Sequence, residues 1–231
     1  MSGVPTLDLA DVDVLRSGVA VLSGVTLRSE ARTIAVIGEN GSGKSTLARM
    51  LSGLVTHTRG TARVLGLDPQ QDASALRRRV ATVFSNPDTQ IVMPTVAEDV
   101  AFSLRALRLP RAEVSTRVDA ALARFGLSPL RDAAAHELSS GQKQLLAVAG
   151  AFVRDPDLVI ADEPTSFLDA RHARTVADHL LADQGHRTLV VTHDLALAQR
   201  CEAAVLCEGG RVVQVGDPAA VVNAYEASLG C

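Results

Sequence analysis

A chain of 231 residues, 47% of them hydrophobic, is long enough to bury a large core as one big domain or two small ones. Its net charge of −3 and its lack of tryptophan argue against a nucleic-acid partner. Proteins that bind nucleic acids carry basic patches for the phosphates and aromatic side chains on which the bases stack. Three unclustered cysteines, Cys201, Cys207 and Cys231, predict free thiols in a reducing compartment. The longest apolar run, at about 145–153, is well short of the roughly 18 residues of a membrane span, so we expect a cytoplasmic protein.

The first part of the chain is predicted to consist of strands that lead into a helix. Period-two alternation at 6–12 and 18–28 predicts two strands, each with one buried face. The apolar run 32–38 predicts a short buried strand, and apolar residues at helical spacing predict a helix over 44–54.

The middle of the chain is predicted to be mostly helical. A further buried strand is expected at 78–84, followed by a loop over 85–94 that is rich in Pro, Asn, Asp and Ser. From 95 to about 153 the pattern is helical, and Pro110 is well placed near a helix start. One apolar helix face is formed by Val114, Val118, Ala121, Leu122 and Phe125.

The last part of the chain is predicted to alternate strands with helices. Fully apolar runs at 157–161 and 187–192 are typical of parallel strands buried between helices. A Gly-Gly turn within 203–216 predicts a hairpin, and a helix is expected over about 217–229.

These elements predict one α/β domain with a helical insertion. We expect its core over about 1–87 and 154–216, and a helical subdomain over about 88–153.

Residues 38–46, GENGSGKST, join a predicted strand to a predicted helix and match a phosphate-binding pattern. Glycines let the backbone wrap closely around phosphate oxygens, while loop amides and the helix start supply positive charge. Lys44 is suited to the β- and γ-phosphates, and the Ser45 hydroxyl is suited to Mg²⁺. The predicted nucleotide-binding residues are Gly38, Glu39, Asn40, Gly41, Ser42, Gly43, Lys44, Ser45 and Thr46.

Two carboxylates, Asp162 and Glu163, directly follow the strand predicted at 157–161. That end of a parallel strand lies near the phosphate loop in such sheets, so Asp162 is suited to hold Mg²⁺ and Glu163 to polarise an attacking water. Two acids that begin a helix are the alternative interpretation, because they favour the helix dipole. Together with the phosphate loop, the pair favours hydrolysis over a simple nucleotide switch.

Residues 138–142, LSSGQ, resemble the signature sequence of ATP-binding-cassette (ABC) ATPases, with Ser140 in place of a glycine. Alone, this stretch would be an ordinary helix N-cap. However, 166–171, SFLDAR, resembles the family's D-loop, and 190–194, VVTHD, supplies a histidine at its switch position. The resemblance covers about residues 6–225. It implies a P-loop NTPase (RecA-like) core with an N-terminal antiparallel β subdomain and an inserted α-helical subdomain.

The resemblance also implies how the site works. In this family two cassettes pair head to tail, with ATP and Mg²⁺ held between the phosphate loop of one and the signature of the other. Glu163 is then the catalytic base, His193 contacts the γ-phosphate and orients Glu163, and Asp169 belongs to the D-loop. The signature residues that bind ATP across the interface are Ser139, Ser140, Gly141 and Gln142. The partner cassette is a second copy or a related ABC ATPase, and the sequence leaves both open.

The sequence departs from the family's pattern at two further places. The family has a loop glutamine that senses Mg²⁺; here Ser85 stands at the matching place and Gln90 follows, so either could serve that role. The family's adenine-stacking aromatic falls near Arg16, whose guanidinium can also stack on a flat base.

Residues 86–107 resemble the ATPase subunits of energy-coupling factor (ECF) transporters, which import vitamins and transition-metal ions. This resemblance implies a membrane T component that docks near 90–100, a substrate-binding S component, and a place on the inner face of the cell membrane. Within the subfamily the chain most resembles the ATPase of biotin transporters, with cobalt or nickel uptake as the near alternative. A soluble ABC ATPase of the iron–sulphur assembly type is the alternative from another class.

Overall fold

A computed structural model describes residues 4–230. The strands in that range are β1 (Leu7–Arg16), β2 (Val19–Ser29), β3 (Thr33–Ile37), β4 (Arg59–Val64), β5 (Val80–Val83), β6 (Leu158–Asp162), β7 (Arg187–Val191), β8 (Ala203–Glu208) and β9 (Arg211–Gly216). The helices are α1 (Lys44–Leu51), α2 (Ala73–Arg79), α3 (Val96–Ser103), α4 (Arg111–Arg124), α5 (Ser140–Phe152), α6 (Ala170–Leu181), α7 (Leu195–Gln199) and α8 (Pro218–Ser228).

A three-stranded antiparallel sheet, in the order β2-β1-β4, forms the N-terminal layer. Leu7, Leu9, Val12 and Val14 of β1 point into a core shared with α1. The alternation predicted for this strand changes phase by one residue between Leu9 and Val12, where the register shifts and Asp11 has a φ of +52°. The sequence analysis did not predict β4. Its burial pattern alternates only in its second half, because it is an edge strand whose first residues face solvent.

A six-stranded sheet, in the order β5-β6-β7-β3-β8-β9, forms the core. Its strands pair in parallel except at β9, which pairs antiparallel with β8 at the edge. Strands β3 and β6 are buried along their whole length, since core clusters lie on both faces of the sheet. The order places β6, β7 and β3 side by side, so the loops that follow these three strands meet at one edge.

Helices α3, α4 and α5 pack on one another and form the helical insertion. A capping box between Thr95 and Glu98 begins α3, and α4 begins directly after Pro110. Phe125, which follows α4, packs on Phe152 at the end of α5, with ring centroids 5.7 Å apart. The predicted fold class, a core sheet with an antiparallel β layer and a helical insertion, is confirmed.

Two details of the fold differ from the predicted elements. The strand predicted at 78–84 begins only at Val80, because the two residues before it belong to α2, and α1 ends at Leu51, three residues before the predicted end at 54. Gly53, at φ +70°, follows that helix in the left-handed conformation that commonly stops a helix.

Within residues 4–230, no helix is both long enough and apolar enough to cross a bilayer. Cys201 and Cys207 are buried free thiols, and burial raises the pKa of each to about 12, so both stay protonated at neutral pH. The third cysteine, Cys231, lies outside the described residues.

Candidate active site

The phosphate loop lies between β3 and α1, and its glycines are required by close contacts. A Cβ on Gly38 would lie 2.0 Å from the carbonyl oxygen of Cys207, and φ at Gly38 is +140°. A Cβ on Gly43, at φ +97°, would lie 2.7 Å from the Leu22 side chain. Only glycine fits at these two positions without displacing neighbouring strands.

The ammonium group of Lys44 lies inside the curve of this loop. Its Nζ donates hydrogen bonds of 2.7 Å to the carbonyl oxygens of Gly38 and Glu39. Burial lowers the pKa of Lys44, while attraction to Glu163 and other anionic groups opposes that shift. The geometry therefore holds a cation at the point where the sequence predicts the β- and γ-phosphates.

The other loop residues divide between an exposed rim and a buried floor. Glu39, Asn40 and Gly41 line the wall of a cavity of about 360 Å³ beside the loop. Ser42 is buried, and its Oγ has no hydrogen-bond partner within residues 4–230. Thr46 lies half-buried in the first turn of α1. A buried hydroxyl without a partner at a phosphate loop suits an additional acceptor such as a phosphate oxygen.

Ser45 and Asp162 come together although they are 117 residues apart, because α1 begins beside the end of β6. The Ser45 Oγ donates a 2.9 Å hydrogen bond to Oδ1 of Asp162. A hydroxyl and a carboxylate are hard oxygen donors, the kind that Mg²⁺ uses together with phosphate oxygens and water. These residues therefore fit the predicted magnesium site.

Glu163 is held in a strained conformation directly after β6. Its φ is +51°, in the left-handed region, and its backbone N–H donates to the carbonyl of Val191 at 2.9 Å. Its Oε2 is 2.7 Å from Nδ1 of His193 and accepts a 3.2 Å hydrogen bond from the Ser166 hydroxyl. The Glu163 side chain is mostly buried, whereas that of His193 is mostly exposed. The predicted acid–histidine contact exists, and its catalytic role remains a prediction.

The signature residues form the start of α5. Ser139 is the N-cap: its Oγ accepts from the N–H of Gln142 at 3.3 Å, and Oε1 of Gln142 accepts from the N–H of Ser139 at 2.9 Å. This capping box fixes the turn that contains Ser140 and Gly141. The free amides of such a helix start suit an anion. The observed cap and the predicted trans contact with ATP are therefore compatible.

His172 lies against the signature turn, and the sequence analysis did not single it out because no motif contains it. Its imidazole covers Gly141, so that a Cβ on Gly141 would lie 2.5 Å from the ring. The Asp169 carboxylate holds this ring in place. Its Oδ1 accepts a 2.9 Å hydrogen bond from the backbone N–H of His172, and its Oδ2 lies 2.8 Å from the ring nitrogen Nδ1. These hydrogen bonds lower the pKa of Asp169. The D-loop residue is thereby connected, through His172, to the signature turn of the same chain.

Gly141→Ala should displace the His172 ring and move the signature turn. Because small displacements of positioning groups cost up to about 100-fold, we expect ATP turnover to fall by roughly 10- to 100-fold. The matched control is Gly150→Ala in the same helix, where a Cβ would meet only the Ser103 hydroxyl at 3.2 Å. Turnover should recover in the double variant Gly141→Ala/His172→Ala, and failure to recover would contradict the steric explanation.

The two candidates for the missing loop glutamine occupy different environments. The side-chain amide of Gln90 forms two hydrogen bonds, each of 3.2 Å. Its Oε1 accepts from the backbone N–H of Phe84, and its Nε2 donates to the carbonyl oxygen of Ala147. It therefore ties the loop after β5 to α5. Ser85 instead lines a cavity of about 340 Å³ together with Ser140 and Leu168. Ser85 therefore lies beside the signature turn, and which of the two residues takes the place of the glutamine remains a prediction.

Arg16, the candidate for adenine stacking, is exposed at the end of β1. A tight turn follows it, with φ values of +49° at Ser17 and +79° at Gly18. The stacking role remains a prediction.

Comparison with known proteins places these residues in a family. The model of the ABC transporter family matches residues 23–166. The relatives include the biotin transport ATP-binding protein BioM of Rhodobacter capsulatus, 36% identical over 96% of this chain and 95% of that protein. They also include the energy-coupling factor transporter ATP-binding protein EcfA1 of Bacillus subtilis, 39% identical over 85% of this chain and 72% of that protein.

Solved structures agree with the sequence relatives. CbiO1 of Clostridium perfringens, part of the ABC transporter complex CbiONQ, superposes with a TM-score of 0.85, at 30% identity over 96% of this chain and 92% of that one. A dimeric ATP-binding cassette solved in a post-hydrolysis state with ADP and Pi superposes with a TM-score of 0.81, at 25% identity over 92% of this chain and 98% of that one. With a phosphate loop, an acidic pair and a capped signature turn built on this fold, the chain belongs to the ABC transporter family, and it is an ATPase that binds ATP.

Proposed function

We propose that this chain is the ATP-hydrolysing subunit of an ECF-type importer, and that the imported substrate is biotin. The segment 86–107 and the likeness to BioM and EcfA1 support this proposal. The observation that carries it is an apolar groove on the helical insertion, away from the phosphate loop, where a membrane protein can dock.

The site residues have different roles in ATP hydrolysis. Lys44 and the loop amides bind the β- and γ-phosphates, while Ser45 and Asp162 hold Mg²⁺, which neutralises charge on the phosphates when bound. Glu163 polarises the attacking water, and His193 keeps the Glu163 carboxylate in position at 2.7 Å.

The second half of the site is supplied by another cassette. The signature turn of one chain covers the nucleotide held by the other. Water cleaves the bond between the β- and γ-phosphates, and release of the resulting inorganic phosphate removes the anion that joins the two chains. A dimeric neighbour with the same fold supports this arrangement. A pair of cassettes that closes on ATP and opens after hydrolysis can then drive a membrane partner.

The groove lies between α3 and the start of α4. Its volume is about 430 Å³, and Phe102 on its wall is 44% exposed. Its lining is mostly apolar, with charges at the edge from Glu98, Arg105 and Arg108. An apolar groove with a charged edge suits an amphipathic helix, and a T component in the membrane could offer one from its cytoplasmic side. The chain would then sit peripherally on the inner face of the membrane, with an S component completing the complex.

Phe102→Asp should uncouple transport without stopping hydrolysis. We expect biotin uptake by the assembled complex to fall by more than about tenfold, because a buried unpaired carboxylate disrupts an apolar contact. ATPase activity of the isolated chain should stay unchanged, since Phe102 is not among the nucleotide-site residues. Val215→Asp, at a similarly exposed position on β9, is the matched control.

Three outcomes separate the proposal from its alternatives. Normal uptake by Phe102→Asp would place the docking site elsewhere on the chain. Uptake of cobalt or nickel in place of biotin would keep the ECF assignment and change the cargo. A tagged chain that recovers no membrane protein from solubilised membranes would favour a cassette of the iron–sulphur assembly type.

A further inference from the structure

A crevice at the amino ends of the core strands contains a partly buried arginine. Two cavities, of about 220 and 150 Å³, share Arg124, Phe152 and Asp155 in their walls and together form this crevice. The first is lined by the second half of α4, and the second by the loops that precede β6 and β7. The phosphate loop and Glu163 lie at the opposite, carboxyl ends of these parallel strands, so the crevice is separate from the nucleotide site.

The guanidinium of Arg124 packs against two aromatic rings and lacks acceptors. Its Cζ is 5.1 Å from the ring centroid of Phe125 and 4.7 Å from that of Phe152. Its Nε and Nη2 are buried and have no hydrogen-bond partner within residues 4–230. These two nitrogens form one edge of the guanidinium, which can pair with two oxygens of a carboxylate or phosphate. Since buried donors are nearly always paired, Arg124 needs an acceptor from outside this part of the chain.

The carboxylates of the crevice are engaged by other arginines. Oδ2 of Asp155 lies 3.4 Å from Nη1 of Arg117, and Asp157 forms an ion pair with Arg79. Arg124 itself forms no ion pair in the described part of the chain, and Asp155 attracts it only from a longer distance. Burial lowers the pKa of Arg124, and that attraction opposes the shift. The crevice therefore holds one positive charge without a close counter-ion, which is a costly arrangement.

Two histidines beside the arginine do not change this balance. The ring of His179 lies 4.4 Å from that of Phe125, and the ring of His186 lies 4.7 Å from that of Phe152. Burial lowers the pKa of both histidines, and repulsion from Arg124 lowers it further. Both therefore stay uncharged at neutral pH, and the unpaired charge of the crevice is that of Arg124.

We propose that this crevice binds a small oxyanion, whose phosphate or carboxylate group is held by the Nε and Nη2 edge of Arg124. The ligand would enter past Asp155 and Gln184, which are exposed at the rim, and lie against the buried Phe152. The walls of the crevice belong both to the helical insertion and to the loops before β6 and β7, so a bound anion would hold the insertion on the core. This site does not depend on the import proposal, which stands if the site is wrong.

Calorimetric titration of the full chain tests whether the anion site exists. The Glu163→Gln chain is first saturated with ATP and Mg²⁺, so that added anions cannot occupy the phosphate loop. Inorganic phosphate and succinate are then titrated separately at constant ionic strength. We expect saturable binding of at least one of them, and the one that binds more tightly identifies the ligand as a phosphate or a carboxylate. No saturable binding of either probe would overturn the proposal.

Three further substitutions in the same background test the residues. Arg124→Gln should weaken anion binding at least about tenfold, because hydrogen bonds from a charged donor are lost. Asp155→Asn should tighten it, since a negative charge beside the anion is removed. Arg111→Gln, at the other end of α4, is the matched control for the loss of one arginine and should leave binding unchanged. Unchanged binding in Arg124→Gln contradicts the assignment, and if that variant does not fold, binding that fails to tighten in Asp155→Asn contradicts it instead.

Discussion

Glu163→Gln is expected to lower ATP turnover by at least about 100-fold, because a positioned general base typically contributes 10²- to 10⁴-fold. The substitution keeps the size of the side chain and its hydrogen bond with Ser166, yet removes the charge that attracts a water proton. ATP binding should persist, since Lys44, Ser45 and Asp162 are unchanged. The chain should therefore accumulate in an ATP-bound state.

The measurement is steady-state phosphate release by the purified complex, together with nucleotide retained after rapid gel filtration. Glu226→Gln, on α8, is the matched control for the loss of one carboxylate. Turnover near that of the unmodified chain would remove Glu163 from the role of base. Loss of nucleotide binding along with turnover would instead indicate that the strained turn at Glu163 needs the carboxylate to fold.

His193→Ala distinguishes a positioning histidine from a base. Its ring is mostly exposed and contacts Oε2 of Glu163 at 2.7 Å, so it orients the acid without being buried with it. The variant should therefore lose less turnover than Glu163→Gln, and adding it to Glu163→Gln should cost little more, because residues that act as a unit are not additive. Fully multiplicative losses in the double variant would contradict this coupling, as measured by phosphate release.

The parts of the site that the sequence could predict are those defined by short contiguous patterns. The phosphate loop is one such pattern, because glycine, lysine and serine must be neighbours for the backbone to curve around phosphate. The capped start of α5 is another, since Ser139 and Gln142 stand three residues apart as a capping box requires. The fully apolar runs at 157–161 and 187–192 likewise predicted buried parallel strands, although they did not predict the order of the strands in the sheet.

The parts that could not be predicted depend on contacts between distant segments. His172 and Gly141 are 31 positions apart, and neither has a local pattern that requires the other. The amide of Gln90 contacts Phe84 and also Ala147, which is 57 positions away, and no local pattern indicates that second contact. Strand β4 lacked a clear period because edge strands bury few side chains. In each case the contact depends on how distant segments pack together, and a short stretch of sequence does not show that packing.

Lys44→Ala is expected to abolish tight ATP binding. Removing one member of a buried charge pair costs about 2–5 kcal/mol. Since about 1.4 kcal/mol is tenfold in affinity, we expect a loss of at least about 30-fold. Burial lowers the pKa of Lys44, and phosphate oxygens at the site would favour its charged form, as the nearby carboxylates do. Isothermal titration with ATP and Mg²⁺ measures the change.

The chain supplies a close control for this experiment, because it has only two lysines. Lys143 forms a 2.8 Å ion pair with Asp88 on the helical insertion, so Lys143→Ala should leave ATP affinity of the isolated chain unchanged. In Lys44→Ala the carbonyls of Gly38 and Glu39 lose their donor, so thermal unfolding must show that the fold is retained. A folded Lys44→Ala chain with normal affinity would remove the cation from the phosphate site, and the loop amides alone would then have to hold the nucleotide.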